Sequence, residues 1–125
     1  MLIMAKPIIN EVKALNTFAQ DTKIIGNIES DGDIRMDGVM EGKLNCKGRV
    51  VIGPEARIKG MIYARNAEIL GNVEGEITVI DLLTLKATAV ITGDLIMGKF
   101  SVEPGARFSG SCKMNGNEKS LPDME

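Results

Sequence analysis

The chain repeats one short unit, an apolar residue two positions before a glycine and another two positions after it, at 24–28, 36–40, 58–62, 69–73, 91–95 and 108–112. The central glycines of this reading are Gly26, Gly38, Gly60, Gly71, Gly93 and Gly110. Gly93 and Gly110 stand 17 residues apart, and Gly26 and Gly60 stand 34 apart, twice that spacing. A longer match fixes the phase: residues 51–60 align with 101–110, sharing Pro54/Pro104, Ala56/Ala106, Arg57/Arg107 and Gly60/Gly110 at an offset of 50. A fixed period of this length marks a solenoid, in which each coil buries its apolar edge only against the next one.

Apolar residues every five or six positions predict three short strands per coil, each turning one or two side chains inward, because residues two apart share a face. The expected fold is an all-β, single-domain parallel β-helix over 22–114, with five to six coils of roughly 17 residues. One inward column reads Ile28, Cys46, Ile62, Val79, Leu95, Cys112, and a second reads Ile34, Val51, Leu85, Val102, with 67–69 filling the gap. Pro54 and Pro104 mark loops between sides, and the least regular stretch, 81–87, is read as strand. Residues 1–21 have no period and are expected to form a flexible arm. Residues 115–125 are polar with Gly and Pro, and are expected to be a disordered tail.

Composition narrows the function. Apolar residues make up 44% of the chain and aromatic ones 3%, which suits a slim interior of Ile, Val, Leu and Met. There is no His, which removes the commonest general base, the commonest zinc ligand and every His-containing triad. Cys46 and Cys112 form no CxxC pair, so they are expected to be buried, reduced thiols of a cytosolic protein rather than a metal or redox site. Residues 23–114 carry 12 basic and 12 acidic side chains, and no basic cluster of the kind nucleic acid requires. The acids Asp31/Asp33 and Glu74/Glu76 are read as turn and surface groups. Arg35, Arg49, Lys59, Arg65 and Arg107 are read as facing acids such as Glu29, Glu41, Glu55 and Glu68 in solvated ladders. No glycine pattern resembles a phosphate loop, so no catalytic, cofactor or metal residue is assigned.

The first residues, Met1, Leu2, Ile3, Met4, are apolar but soon broken by Lys6 and Pro7, which fits neither a membrane span nor a secretory signal. Met4 is an alternative start.

The ends of the rod hold the candidate site. A β-helix presents unpaired backbone groups above an apolar core at its first and last coil, and solenoids normally cover both. Here the last coil still offers Phe100, Phe108, Cys112 and Met114, and the first begins with Ile24, Ile25 and Ile28. Uncapped ends predict end-to-end stacking; the alternative is an arm that folds back as a cap.

Residues 21–28 (Asp-Thr-Lys-Ile-Ile-Gly-Asn-Ile), 32–38 (Gly-Asp-Ile-Arg-Met-Asp-Gly) and 105–110 (Gly-Ala-Arg-Phe-Ser-Gly) together resemble the bactofilins, a family of bacterial cytoskeletal proteins. The resemblance spans about residues 21–114, the whole repeat. It implies a right-handed, triangular β-helix that polymerises without nucleotide into nonpolar filaments and organises cell shape or cell-wall enzymes. It also implies an apolar terminal-coil residue needed for assembly, for which Phe108 is the match by position. Family members often touch the inner membrane through an N-terminal peptide containing an aromatic residue and lysines. Met1, Leu2, Ile3 and Met4 are apolar but lack that aromatic residue and the lysine pair, so a peripheral membrane contact is carried only as an alternative.

The leading expectation is therefore a cytoplasmic structural protein whose main partner is itself, with cell-wall enzymes or other cytoskeletal proteins as further partners. One alternative is a monomeric adaptor binding along a flat side. Another is a hexapeptide-repeat enzyme, disfavoured because such enzymes resemble strict 18-residue coils and depend on His.

Overall fold

A computed structural model describes residues 15–114. Ten strands follow in chain order: β1 Leu15–Phe18, β2 Lys23–Ser30, β3 Asp33–Met36, β4 Val39–Cys46, β5 Arg49–Ile52, β6 Arg57–Ala64, β7 Asn66–Ile69, β8 Asn72–Leu85, β9 Val90–Val102 and β10 Arg107–Met114. Every pairing is parallel, and each strand bonds to the one a coil away. The result is a β-solenoid of six coils, stacked as β2-β4-β6-β8-β9-β10 along one run and β1-β3-β5-β7-β8-β9 along the other.

Each coil has three sides. The longer strands turn a corner at a glycine with positive φ, for example Gly42 (φ 140°) and Gly60 (φ 135°), and so supply a first side before it and a second side after it. The short strands, and the final stretches of β8 and β9, form the third side. Glycine is required at the corner for two reasons: its φ is one that other residues rarely adopt, and a Cβ on Gly60 would fall on the carbonyl of Gly42.

The stacked glycine column is Gly26, Gly42, Gly60, Gly75, Gly93, Gly110. Gly38 and Gly71, assigned to it from the sequence, instead sit at the corner between the third and first sides, packed against the turn carbonyls Thr22 and Gly53 respectively. The reason is that the inward residues Met36, Met40, Ile69 and Val73 flank these other-corner glycines and give them the same apolar-glycine-apolar form; along the true column the spacings are 16, 18, 15, 18 and 17 residues. The inward columns shift accordingly. Ile28 stacks on Leu44, Ile62, Ile77, Leu95 and Cys112, so Cys46 and Val79 belong to the neighbouring inward column, which runs Ser30, Cys46, Ala64, Val79, Met97, Met114. Val51 pairs with Arg35 and Glu68 on the outward face, and Ile34 stacks on Val50.

The rod also begins before the expected boundary at 22. Leu15–Phe18 pair in parallel with Asp33–Met36, so the last residues of the predicted arm are the third side of the first coil. The remainder of the arm and the C-terminal tail lie outside the described residues.

The interior is filled by Ile, Leu, Val, Met, Ala and one Cys, and no polar or charged residue is buried among the described residues. Cys46 is fully buried, and its Sγ–H donates to the Gly32 carbonyl at 2.9 Å. Corners are closed by short turns: Ala56 N–H donates to Gly53 O at 3.0 Å, with Pro54 at the position where its fixed φ suits the turn. Ala106 and Glu103 repeat this around Pro104. The outer ion pairs differ from those expected. Arg35 bonds Asp37 at 2.9 Å, Lys59 approaches Glu74, Arg65 approaches Asp81, and Lys86 bridges Glu68 and Glu103. Of the four acids named from sequence, only Glu68 is paired among the described residues. Lys59–Glu74 and Arg65–Asp81 are exposed on both sides and contribute little to stability, while Arg35–Asp37 and the Lys86 bridge are partly shielded.

Candidate assembly interface

At the C-terminal end, β10 and the last stretch of β9 form the final rung. β10 bonds to β9 along one edge and has no partner along the other among the described residues. A free parallel edge leaves a row of N–H and C=O groups ready to accept another strand. Above it stand the inward side chains. Phe108 stacks on Ile91, Cys112 on Leu95, Met114 on Met97, Phe100 on Leu83 and Val102 on Leu85. The residues beneath are at most 1% exposed, whereas Phe100 and Phe108 are half-buried, and Val102, Cys112 and Met114 are exposed. Only the lack of a next coil separates the two sets.

The structure thus brings Phe100, Phe108, Cys112 and Met114 together, and adds Val102 and Ala106, which sequence reasoning missed. Ala106 continues the corner positions of the buried Ala56 and Ala89. The alignment of 51–60 with 101–110 already carried that signal, since it places Ala106 opposite Ala56. Cys112, expected to be buried, is exposed because it lies in this last rung. Its surroundings still raise the thiol pKa, through desolvation, and its Sγ lies 3.8 Å from Met97 Sδ.

The N-terminal end is built alike but is more polar. Phe18 stacks on Met36, Ile24 on Met40 and Ile28 on Leu44, all three half-buried against the core. Phe18 was missed because it fell in the predicted arm. Beside them, Asn16 Nδ2 donates to Ser30 Oγ at 3.2 Å, and Ser30 Oγ in turn accepts from Gly32 N–H at 3.1 Å. Ile25 does not join this group. It heads the outward column on Glu41 and Lys59 and is 72% exposed, so it lies on the rim of the end. Met1, Leu2, Ile3 and Met4 lie outside the described residues.

The acids singled out from sequence make no site. Asp33 Oδ1 accepts from Arg49 N–H at 3.0 Å, Asp31 and Glu74 pair loosely with Lys47 and Lys59, and Glu76 is exposed. Among the described residues, no three His, Cys, Asp or Glu side chains gather as a metal would need, and no helix is long and apolar enough to cross a membrane.

Comparison with known proteins agrees with this geometry. The family model described as bactofilin, polymer-forming cytoskeletal, matches residues 16–113. The chain is similar to bactofilin BacO of Myxococcus xanthus, 29% identical over 96 residues that cover 77% of this chain and 76% of BacO. Among solved structures, the cryo-EM reconstruction of Thermus thermophilus bactofilin double helical filaments matches with a TM-score of 0.75 and 32% identity, covering 78% of this chain and 96% of that one. The solid-state NMR structure of the cytoskeletal bactofilin BacA matches with a TM-score of 0.72 and 30% identity, covering 78% of this chain and 93% of that one. With its six-coil solenoid, two ends without a covering element among the described residues and a family match across nearly all of those residues, the chain belongs to the bactofilins, a family of polymer-forming cytoskeletal proteins.

Proposed function

We propose that this chain polymerises end to end, without nucleotide, and that the filaments scaffold cell-shape or cell-wall machinery. One observation carries the reading: the inward columns run to both ends, where Phe18, Ile24 and Ile28 at one and Phe100, Ala106 and Phe108 at the other lie half-buried on the core. Covering them removes apolar surface from water at about 25 cal/mol per Å². Continuing the ladder also satisfies the edges of β1, β2 and β10 that have no partner among the described residues.

Nucleotide has no role in this scheme, because the joints form from surfaces that are already complete. Nor is catalysis part of it: the acids are solvated and the chain holds no His. By analogy with the Thermus thermophilus filaments, two such strands wind together. The other partners in this reading are cell-wall enzymes or further cytoskeletal proteins, in the cytoplasm or at the inner membrane. A membrane contact would run through Met1, Leu2, Ile3 and Met4.

The test is high-speed pelleting of purified full-length protein in buffer free of nucleotide and divalent cations. Most of the chain is expected in the pellet at micromolar concentration, with no change on adding ATP or GTP. A requirement for nucleotide would overturn the proposal.

A further inference from the structure

We infer that paired strands of this protein meet through an apolar ridge on the middle coils, where Tyr63, Ile80 and Leu82 wrap the corner between the second and third sides. This rests on the filament reading above and identifies the surface by which one filament holds another.

Outward positions on a solenoid are ordinarily polar, and most here are. The outward column of the second side runs Glu29, Asn45, Tyr63, Thr78, Ile96, Lys113, and its neighbour runs Asn27, Lys43, Met61, Glu76, Asp94, Ser111. The apolar members are Tyr63 and Met61 in the third coil and Ile96 in the fifth, while the first and last coils are polar on this side. Tyr63 is 43% exposed and Met61 42%.

Coil length explains why the ridge protrudes. At this corner a single residue, Arg65, links β6 to β7, and a single residue, Gly98, separates the second- and third-side stretches of β9. In the coil between them the corner holds two residues, Ile80 and Asp81, and the pairing of β8 with β9 shifts register there. An extra residue between two shorter neighbours bulges outward. Ile80 is accordingly 47% exposed, with Leu82 following it onto the third side between Asn66 and Lys99.

A second copy of the chain is the occupant that fits. Arg65 and Asp81 stand beside the ridge, 3.6 Å apart and each more than half exposed. A two-fold axis through the ridge would set each Arg65 against the other copy's Asp81, so apolar centre and charged rim are both self-complementary. The balanced 12 basic and 12 acidic residues of 23–114 add no net repulsion. A few side chains fall well short of the ~800 Å² per partner of a stable interface, so one contact alone is weak. A filament repeats it at every subunit, and the contacts then act together.

The experiment compares negative-stain images of wild type, of Tyr63→Lys with Ile80→Lys, and of a control, Asn72→Lys with Thr92→Lys, on the first side. Circular dichroism verifies that each remains folded. The expected result is paired strands for wild type and control, and single strands of about half the width for the ridge variant. Paired strands in the ridge variant would overturn the inference. Wild-type filaments that are always single would overturn it while leaving end-to-end assembly intact. No wild-type filaments at all would remove the reading beneath it as well. If the ridge variant stays paired but loses binding to vesicles of phosphatidylglycerol and phosphatidylethanolamine, the ridge belongs to the membrane and the inference fails.

Discussion

Gly60→Val is expected to abolish the native fold or to cost it roughly 4 kcal/mol or more. Gly60 has φ 135°, and a side chain there would run into the Gly42 backbone of the preceding coil. Two penalties therefore act together: a strained backbone, about 1–3 kcal/mol, and a forced separation of coils whose ladder and core depend on close stacking. Gly26→Val separates the two. Gly26 has the same φ of 135°, but a Cβ there meets nothing within 4 Å, because no coil precedes it among the described residues. It should pay the strain alone. Urea unfolding of both variants, made in a background that does not polymerise, measures the difference. Equal losses would mean that the glycine column serves only the backbone bend and not the stacking.

Phe108→Arg is expected to end polymerisation while leaving the solenoid folded. Phe108 is the last of the column Ile24, Met40, Ile58, Val73, Ile91, Phe108, and it is half-buried at the open end. In the free chain an arginine there can reach water. In a joint it would be buried without a partner, at a cost of several kcal/mol, enough to lower assembly more than a hundredfold. Analytical ultracentrifugation should find soluble species of one or two chains, and their size reports whether unlike or like ends meet. Thiol labelling supplies an independent reading. In Phe108→Arg a maleimide should modify Cys112 and spare Cys46, slowly at neutral pH because desolvation raises the Cys112 pKa and keeps the thiol protonated. In assembled wild type neither should react. Ready labelling of Cys112 in pelleted filaments would place the joint elsewhere.

The fold was legible from the sequence because inward alternation and the glycine unit repeat on every coil. The columns through Ile28, Ile62, Leu95 and Cys112 could be placed by counting near 17. Counting failed where coils are 16 or 15 residues long, which is how Cys46 and Val79 took the places of Leu44 and Ile77; the two misplaced glycines have another cause. Residues 36–40 and 69–73 have the same apolar-glycine-apolar form as the true corners at 40–44 and 73–77, because Met36, Met40, Ile69 and Val73 all point inward on either side of another corner. The period near 17 itself points to positions 43 and 76–77, closer to Gly42 and Gly75 than to Gly38 and Gly71, so matching the motif without holding to the period caused the misplacement. The contact of each corner glycine with the one a coil before it agrees with the period.

The two end faces of the solenoid were legible in part. Phe100, Phe108, Cys112 and Met114 follow from alternation in the last coil. Phe18 does not, because a strand of four residues, Leu15–Phe18, shows too little alternation to stand out from an irregular arm. Ile25 was assigned to the end because it adjoins Ile24, yet alternation turns neighbours to opposite faces, which puts it on the rim. The ridge at Ile80 was hidden for a related reason. Its exposure comes from one extra corner residue relative to the coils on either side, and only the register between coils reveals that.

The central claim is that the two open ends of the solenoid join. It is tested most directly by cryo-electron microscopy of the purified wild-type chain in nucleotide-free buffer. The prediction is filaments in which subunits follow one another every ~29 Å, the length of six coils at ~4.8 Å per coil, with β-strands running across the filament axis and Phe108 inside a joint. A chain that stays monomeric at 13.5 kDa at every concentration, or filaments whose subunits meet only side to side, would contradict it.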